Sequence, residues 1–269
     1  MSDAETVGSV TGGQGPDPGA ASLPPGVVTC MTTLAHGLAA ILGQRLLGLY
    51  LGGSATMGGF EPVSSDLDFL AVLDGPLTAG EAEAIETLHD RLRREVAYGD
   101  RLEGDYAPRQ VLVPEGTTEP TPGCWDGRFV PQFQDIMLSA DNLASLLDHG
   151  IAFHGPEPRE LLPQVSPDHV RAAARAMLEE EPEESPTAEQ AASEILNDLR
   201  SLRSIHTGAP STKDDGAAWA VQRFPPRWHR TIRAALAIRR RAGSAEDERV
   251  VLQDRSMLHA AALEWLRDL

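Results

Sequence analysis

Two short apolar segments on either side of a glycine-rich turn constrain this chain more than any other feature. The first, LLGLYL, ends at Leu51 and runs directly into the turn Gly52-Gly53-Ser54. The second, DLDFLAVL, begins at Asp66 and starts with an Asp-x-Asp pair. Short apolar runs bounded by turn residues are typical of buried β-strands. The pattern predicts two strands, one ending in the turn and the other beginning with the carboxylates.

Helical periodicity surrounds this pair of strands. Apolar residues recur at helical spacing from Val28 to Leu42 and again from Ala82 to Val96. A third strand is predicted within LEGDYAPRQVLV, residues 102–113, where Pro108 indicates a bend or an edge position. These elements predict a small mixed sheet with helices packed against it.

The second half of the chain has a different pattern. After a Pro- and Gly-rich loop at residues 114–127, strand patterns disappear and helices follow. One helix should begin at Ser166-Pro167-Asp168, with a cap and a first-turn proline, and the last should span residues 245–266. The predicted class is α+β: a disordered tail (1–26), a sheet domain (27–125) and an all-helical bundle (126–269).

The charge balance narrows the classes of partner. The chain has 23 basic and 40 acidic residues among 269, a formal net charge of -17. Such a charge repels a phosphate backbone, which argues against a general nucleic-acid binder and would favour a cationic small substrate. Charge alone is better explained by an acidic surface that keeps the protein dispersed.

The predicted cellular compartment follows from sequence features that the chain lacks. Its two cysteines, Cys30 and Cys124, have neither disulfide-framework nor zinc-site spacing. The first residues lack the basic start and apolar core of a secretory signal, and no run approaches the apolar length of a membrane helix. We expect a soluble cytoplasmic protein without membrane contact, acting as a monomer.

The turn and the Asp-x-Asp pair suggest a shared chemistry. On a strand, Asp66 and Asp68 point to the same face, roughly 7 Å apart at their stems. Mg²⁺ is held by one or two carboxylates plus substrate phosphates, and a Gly-Gly-Ser turn lets backbone amides approach phosphate oxygens. Each half alone is more often a solvated loop or a tight turn. Together, in a strand-turn-strand context, they favour a metal-bound polyphosphate.

The same residues carry a resemblance to a known family. Gly53-Ser54, eleven residues and then Asp66-Leu67-Asp68 resemble the nucleotidyltransferase superfamily of the DNA polymerase β type. The longer stretch LYLGGSATMGGFEPVSSDLDFLAVL looks like the aminoglycoside adenylyltransferases that modify streptomycin and spectinomycin. In the second half, HGIAFHGPEPRELLPQVS and LNDLRSLRSIHTGAPSTKDDGAAWAVQRFP are similar to that family's Gly-Pro segment and arginine-bearing helix.

The resemblance implies a base for the reaction. Strand alternation puts Glu103 and Asp105 on one face and does not choose between them. The family keeps a Glu at the start of this strand as base and metal neighbour, which implies that role for Glu103. A solvent-facing carboxylate is the alternative. The resemblance thus implies Mg²⁺ at Asp66, Asp68 and Glu103, with ATP as co-substrate at Gly53 and Ser54.

The resemblance also implies two cations for the leaving pyrophosphate, Arg200 and Lys213. Taken alone, each would be a surface cation, and a capping box from Ser211 to Asp214 would explain the pattern around Lys213. Trp219 lies at helical spacing among small apolar residues and is interpreted as core packing.

The sequence signal for residues that contact the acceptor substrate is less specific than the signal for the nucleotide site. The segment EEEPEESPTAEQ, residues 179–190, replaces the family's drug-facing loop and has no tryptophan. Glu183 and Glu184 could bind ammonium or guanidinium groups, or merely solvate a linker. Trp125 could form an aromatic wall of the site or a buried loop anchor.

The expected reaction transfers AMP from ATP to a hydroxyl of a cationic antibiotic, with no nucleic acid involved. Two alternatives stay open: transfer to a protein or nucleic-acid hydroxyl, and a non-catalytic nucleotide sensor that kept the fold. The complete set of carboxylates argues against the sensor, because a binding relic needs no base.

Overall fold

The computed structural model describes residues 23–117, 119–133, 137–182, 184 and 186–267. Six strands form one sheet: β1 (Leu46–Leu51), β2 (Leu67–Leu73), β3 (Leu102–Pro108), β4 (Thr121–Trp125), β5 (Arg128–Phe133) and β6 (Ile151–His154). The helices are α1 (Pro25–Leu42), α2 (Ala79–Glu95), α3 (Ala140–His149), α4 (Pro158–Leu161), α5 (Pro167–Leu178), α6 (Ala188–Thr207), α7 (Lys213–Val221), α8 (His229–Arg239) and α9 (Ala245–Arg267). The α+β class is confirmed.

The sheet is mixed, with strand order β5-β4-β3-β2-β1-β6. Only β2 and β3 run parallel, because α2 carries the chain back between them; the other neighbours are antiparallel. Strand β3 lies between β2 and β4, so the edge position predicted from Pro108 is wrong. Pro108 is the last residue of β3, where a missing N–H does not interrupt the ladder.

Each face of the sheet has its own apolar core. Helices α1 and α2 cover one face, with Leu34, Phe69 and Ile85 among the fully buried residues. Helices α3 and α4 cover the other face, where Tyr50 and Leu70 are fully buried. The alternation along β1 and β2 therefore sends apolar side chains in both directions, as expected for strands covered on both sides.

The first helix corrects one expectation. Residues Pro25–Arg45 form a 21-residue helical stretch with mean hydropathy 1.5, long and apolar enough to cross a membrane. The expectation that no run approaches this length is therefore wrong. Val27, Cys30 and Met31 are fully buried in the core against the sheet, which is the ordinary reason for an apolar helix in a globular domain.

The second half folds around α6. Its apolar positions form one core cluster with α5, α7, α8 and α9. Trp219 packs edge-on against Trp265, with ring centroids 4.9 Å apart, which agrees with its interpretation as a core residue. Helix α5 begins as predicted, since the Ser166 hydroxyl accepts from the His169 N–H and Pro167 occupies the first turn.

Strands β5 and β6 lie beyond the loop after which only helices were expected. Strand β6 pairs with β1 and β5 with β4, so the sheet extends past residue 125 to His154. The apolar core cluster of the helical half begins only at Ala174. Of the predicted tail, residues 1–22 lie outside the described residues, and α1 begins at Pro25, inside the segment 1–26.

Helices α6 and α7 meet at a glycine. A Cβ built on Gly216 would lie 2.5 Å from the backbone nitrogen of Arg200 and 2.7 Å from its Cα. Both neighbouring atoms belong to the α6 backbone, which cannot move as a side chain can. Gly216 therefore sets the distance between the helix that carries Arg200 and the helix that begins with Lys213.

Replacing Gly216 by alanine should destabilise the protein by about 1–3 kcal/mol, because α7 must move away from α6. The measurement is the free energy of unfolding in urea. Gly80→Ala is the matched control, since Gly80 lies in α2 with nothing within 4 Å of its added Cβ. That variant should be neutral or slightly more stable. Equal stability of the two variants would contradict the close approach.

Candidate active site

A cleft of about 470 Å³ separates the sheet half from the helical half. Its sheet-side wall includes the Gly-Ser turn and the carboxylates Asp66, Asp68 and Glu103. Its helical wall includes Arg200 of α6, Lys213 of α7 and Arg239 of α8. Acidic and basic side chains thus face each other across the opening.

The Gly-Ser turn is in direct contact with Asp68. Strands β1 and β2 are antiparallel neighbours, and the Gly52 N–H donates to the Asp68 carbonyl at 2.8 Å. The Ser54 backbone N–H donates to the Asp68 carboxylate. Gly53 has φ +60, and a Cβ there would lie 1.7 Å from Asp68 Oδ2. The carboxylate therefore occupies space that only glycine leaves open.

The parallel register of β2 and β3 brings the three carboxylates together. Asp68 pairs with Glu103, and both line the cleft with Asp66, which directly precedes β2. Burial, and then the Asp66 charge, raise the pKa of Asp68 to about 6. Burial, and then Asp66 and Asp68, raise the pKa of Glu103 to about 8, and burial also raises the pKa of Asp66. These groups repel one another and are poorly solvated.

The two carboxylates of β3 have different surroundings. Glu103 faces the cleft and is 7% exposed. Asp105 is fully buried: its Oδ1 accepts from the Thr121 hydroxyl and its Oδ2 from the Met137 N–H, both at 2.9 Å. Asp105 joins β3 to β4 and to the chain before α3. Of the two, the structure places only Glu103 in the cleft.

Lys213 and Arg200 lie close together on the helical wall. The Lys213 ammonium donates to the Ser193 hydroxyl at 2.8 Å. Burial, followed by the charges of Arg200 and Arg239, lowers the pKa of Lys213 to about 8. The predicted Ser211–Asp214 capping box is wrong: the Thr212 hydroxyl caps α7 by accepting from the Asp215 N–H at 3.0 Å. The Ser211 hydroxyl instead accepts from Arg203 at 2.6 Å.

Several cleft residues were not predicted from the sequence. Arg239 is the clearest, because it ends α8 within a run of three arginines that resembles an ordinary basic helix terminus. Ser65 is buried beside Asp66, and its hydroxyl accepts from the Glu61 N–H at 2.9 Å. Ser193 and Asn197 also line the helical wall. Helical periodicity alone gives polar residues on α6 no special role.

The donor set fits Mg²⁺ only in part. Among the described residues, no three His, Cys, Asp or Glu side chains are arranged to hold a metal ion by themselves. Asp66 and Asp68 offer hard oxygen donors on one wall, and Mg²⁺ commonly binds one or two carboxylates with substrate phosphates completing its shell. The residues therefore suit an ion that arrives with a polyphosphate.

The residues predicted to contact the acceptor substrate differ in their position relative to the cleft. Trp125 is 48% exposed, lines the cleft and packs against Phe133 with ring centroids 5.9 Å apart, so the alternative of a buried anchor is wrong. Glu184 is exposed and is not among the cleft residues, while Glu183 lies outside the described residues. Glu180 and Glu181 instead line an adjoining pocket of about 190 Å³.

Comparison with known proteins finds a family that the helical half resembles. Residues 160–264 match the family model described as aminoglycoside adenylyltransferase, C-terminal domain. Over these residues the chain is similar to the C-terminal domain of aminoglycoside adenylyltransferases, which indicates an adenylyltransferase enzyme. This adenylyltransferase gives no match among curated proteins.

A solved structure supports the fold of both halves. The spectinomycin adenyltransferase AAD(9) from Enterococcus faecialis, crystallised with ATP and spectinomycin, superposes with a TM-score of 0.66 at 20% sequence identity. The match covers 87% of this adenylyltransferase and 98% of the other chain. The family model and this superposition together agree with the resemblance seen in the sequence, and the sheet half shares its fold with that enzyme.

Replacing Gly53 by alanine should displace the Asp68 carboxylate and lower turnover of this adenylyltransferase by about 100-fold, because small misplacements of reacting groups have large effects. Gly58→Ala is the matched control. Gly58 lies in the same loop at φ +78, but nothing lies within 4 Å of its added Cβ. Both variants should lose about 1–2 kcal/mol of stability through the left-handed backbone. Turnover and urea unfolding would be measured; equal activity of the two variants would contradict the contact.

Proposed function

We propose that this adenylyltransferase transfers AMP from ATP to a hydroxyl group of an aminoglycoside or aminocyclitol antibiotic and releases pyrophosphate. The opposed walls of the cleft carry the proposal. Asp66, Asp68 and the Gly-Ser turn lie on one wall, and Arg200 and Lys213 lie on the other. A nucleoside triphosphate with a divalent cation matches both walls, because its phosphates bind cations and its metal binds carboxylates.

Each wall has a role in nucleotide binding. Asp66 and Asp68 would hold Mg²⁺, with Glu103 beside them, and the bound ion would neutralise charge on the phosphates. Gly53 and Ser54 would contact phosphate oxygens through the backbone and the hydroxyl. Arg200 and Lys213 would stabilise the negative charge that develops on the leaving pyrophosphate.

Glu103 is the proposed general base. As the acceptor oxygen forms its bond to the α-phosphorus, the bond from that phosphorus to the bridging oxygen breaks and pyrophosphate leaves. The hydroxyl proton passes to the Glu103 carboxylate. Burial and the neighbouring aspartates raise the pKa of Glu103 to about 8, so the group can hold that proton near neutral pH.

The acceptor is argued from charge and from the neighbouring enzyme. The net charge of -17 attracts cations, and Trp125 offers an exposed ring at the cleft. The superposed enzyme was crystallised with spectinomycin as well as ATP. The proposed setting is the cytoplasm, with the enzyme acting as a monomer, and the free, buried Cys30 and Cys124 are compatible with a reducing compartment.

The deciding experiment is a pyrophosphate-release assay with purified protein, ATP, Mg²⁺ and a panel including streptomycin and spectinomycin. At least one aminoglycoside or aminocyclitol should stimulate release and gain the mass of an AMP group. Release with none of the panel would overturn the antibiotic assignment. Labelled ATP incubated with lysate would then separate the alternatives: label in macromolecules indicates another hydroxyl acceptor, and ATP binding without turnover indicates a nucleotide sensor.

Glu103→Gln should lower kcat by about 10²- to 10⁴-fold, since the base is lost. Asp66→Asn should abolish turnover, because a neutral amide is a poor metal ligand. Neither change should destabilise the fold, as each removes a poorly solvated carboxylate from a group of like charges. Turnover and urea unfolding of each variant are the measurements.

Asp105→Asn is the matched control from the same face of β3. An amide cannot accept from both the Thr121 hydroxyl and the Met137 N–H, so this variant should lose about 1–3 kcal/mol of stability. Its folded fraction should keep turnover within about tenfold of the wild type. Retained activity in Glu103→Gln together with a dead, stable Asp105→Asn would reverse the two roles.

A further inference from the structure

Residues 56–65 connect the Gly-Ser turn to Asp66, and we call them the connecting loop. One backbone hydrogen bond ties the loop to Ser54, and a second, inside the loop, fixes the residue that precedes Asp66. The Gly59 N–H donates to the Ser54 carbonyl at 3.2 Å, and the Ser65 N–H donates to the Glu61 carbonyl at 2.8 Å. A displacement of the loop would therefore be transmitted to Ser54 at one end and to Asp66 at the other.

Arg239 of α8 makes two hydrogen bonds with the connecting loop. Its Nη2 donates to the Gly59 carbonyl at 2.9 Å. Its own carbonyl accepts from the Ser64 hydroxyl at 2.7 Å. The first contact lies near the Ser54 end of the loop and the second near Asp66. One residue of the helical half thus holds both ends of a loop that belongs to the sheet half.

The same cluster reaches the start of α7. Arg239 Nη1 lies 3.5 Å from Asp214 Oδ2, next in the chain to Lys213. Arg240 also pairs with Asp214 and lies 3.4 Å from Glu61 of the loop. A Cβ on Gly59 would lie in ordinary contact with Thr212, 3.5 Å away, so the loop also packs on the residue that caps α7.

These contacts should hold the connecting loop rigidly against α8. The Arg239 side chain is only 14% exposed, so water competes weakly for its hydrogen bonds. A guanidinium group presents donors in a rigid fork, which can bind a carbonyl and a carboxylate in different directions at the same time. A lysine ammonium at this position is a single charged point on a flexible stem.

We propose that Arg239 is a positioning residue for nucleotidyl transfer: by holding the connecting loop at both ends, it sets Ser54 and Asp66 at a fixed distance from Lys213 across the cleft. This inference rests on the proposed function, because the phosphates must lie between these residues. Arg239 acts through the loop and through α7 and does not itself contact the reacting atoms.

Arg239→Met tests the proposal, with Arg230→Met as the matched control. Arg230 lies on the same helix and pairs with Glu246, away from the cleft, with its side chain 65% exposed. Arg239→Met should lower kcat by about 10- to 100-fold while changing KM for ATP by less than about threefold, as expected for misalignment. Hydrogen exchange of the connecting-loop amides should become faster. Arg230→Met should leave kcat and loop exchange unchanged.

Two milder variants keep the proposal falsifiable if Arg239→Met folds poorly. Arg239→Lys should recover part of the loss, because it can restore one donor but not the fork. Ser64→Ala removes only the hydroxyl at the Asp66 end and should speed loop exchange with a smaller loss of kcat. Unchanged kcat in all three variants would overturn the proposal. So would a loss of kcat with loop exchange unchanged, since Arg239 would then act as a direct ligand.

Failure of the proposed function is separable from failure of this inference. If the wild-type protein shows no turnover with any acceptor, the proposed reaction is wrong. Hydrogen exchange of the connecting-loop amides in the same variants still tests whether Arg239 holds the loop. Faster exchange in Arg239→Met than in Arg230→Met would support Arg239 as the residue that holds the loop. Equal exchange in the two variants would overturn it.

Discussion

The site depends on the contact between the Asp68 carboxylate and the turn at Gly53 and Ser54. The carboxylate fills the volume that a side chain at position 53 would need, and it accepts the Ser54 N–H. This contact requires β1 and β2 to be antiparallel neighbours, so that the end of one strand meets the start of the other. It also forces Gly53 into a left-handed backbone that other residues adopt at a cost. The Gly-Ser turn and the start of β2 are thus one structural unit.

The two halves of the protein contribute charges of opposite sign, and each set is unfavourable by itself. Burial and mutual repulsion raise the pKa of Asp68 and Glu103, whereas burial and neighbouring arginines lower the pKa of Lys213. A phosphate group carrying a divalent cation between the walls would offset both penalties. The opposed walls therefore carry unfavourable charge interactions that a nucleotide of this kind is suited to relieve.

The similarity to the family and the chemistry of the site come from different parts of the chain. The family model covers residues 160–264, which include Arg200 and Lys213 but none of the three carboxylates. The sheet half is related to the superposed enzyme through its fold, at 20% identity. In that half the proposed reaction is supported by local geometry, above all by the parallel register that places Glu103 beside Asp68.

What the sequence determined by itself was local. The alternation and turn residues around Leu46–Leu51 and Leu67–Leu73 predicted both strands, and the Ser-Pro-Asp pattern predicted the start of α5, because these signals act within a few residues. Tertiary structure alone decided the rest. Strand β6 is recognisable only from its pairing with β1. Strand alternation does not distinguish Glu103 from Asp105, and only the hydrogen bonds from Thr121 and Met137 to Asp105 do so. Arg239 has no signal in its own helix, since the atoms that it binds belong to a loop about 180 residues earlier in the chain. Periodicity records which face of an element is apolar, whereas a site depends on which elements meet, and that is set by packing between distant segments.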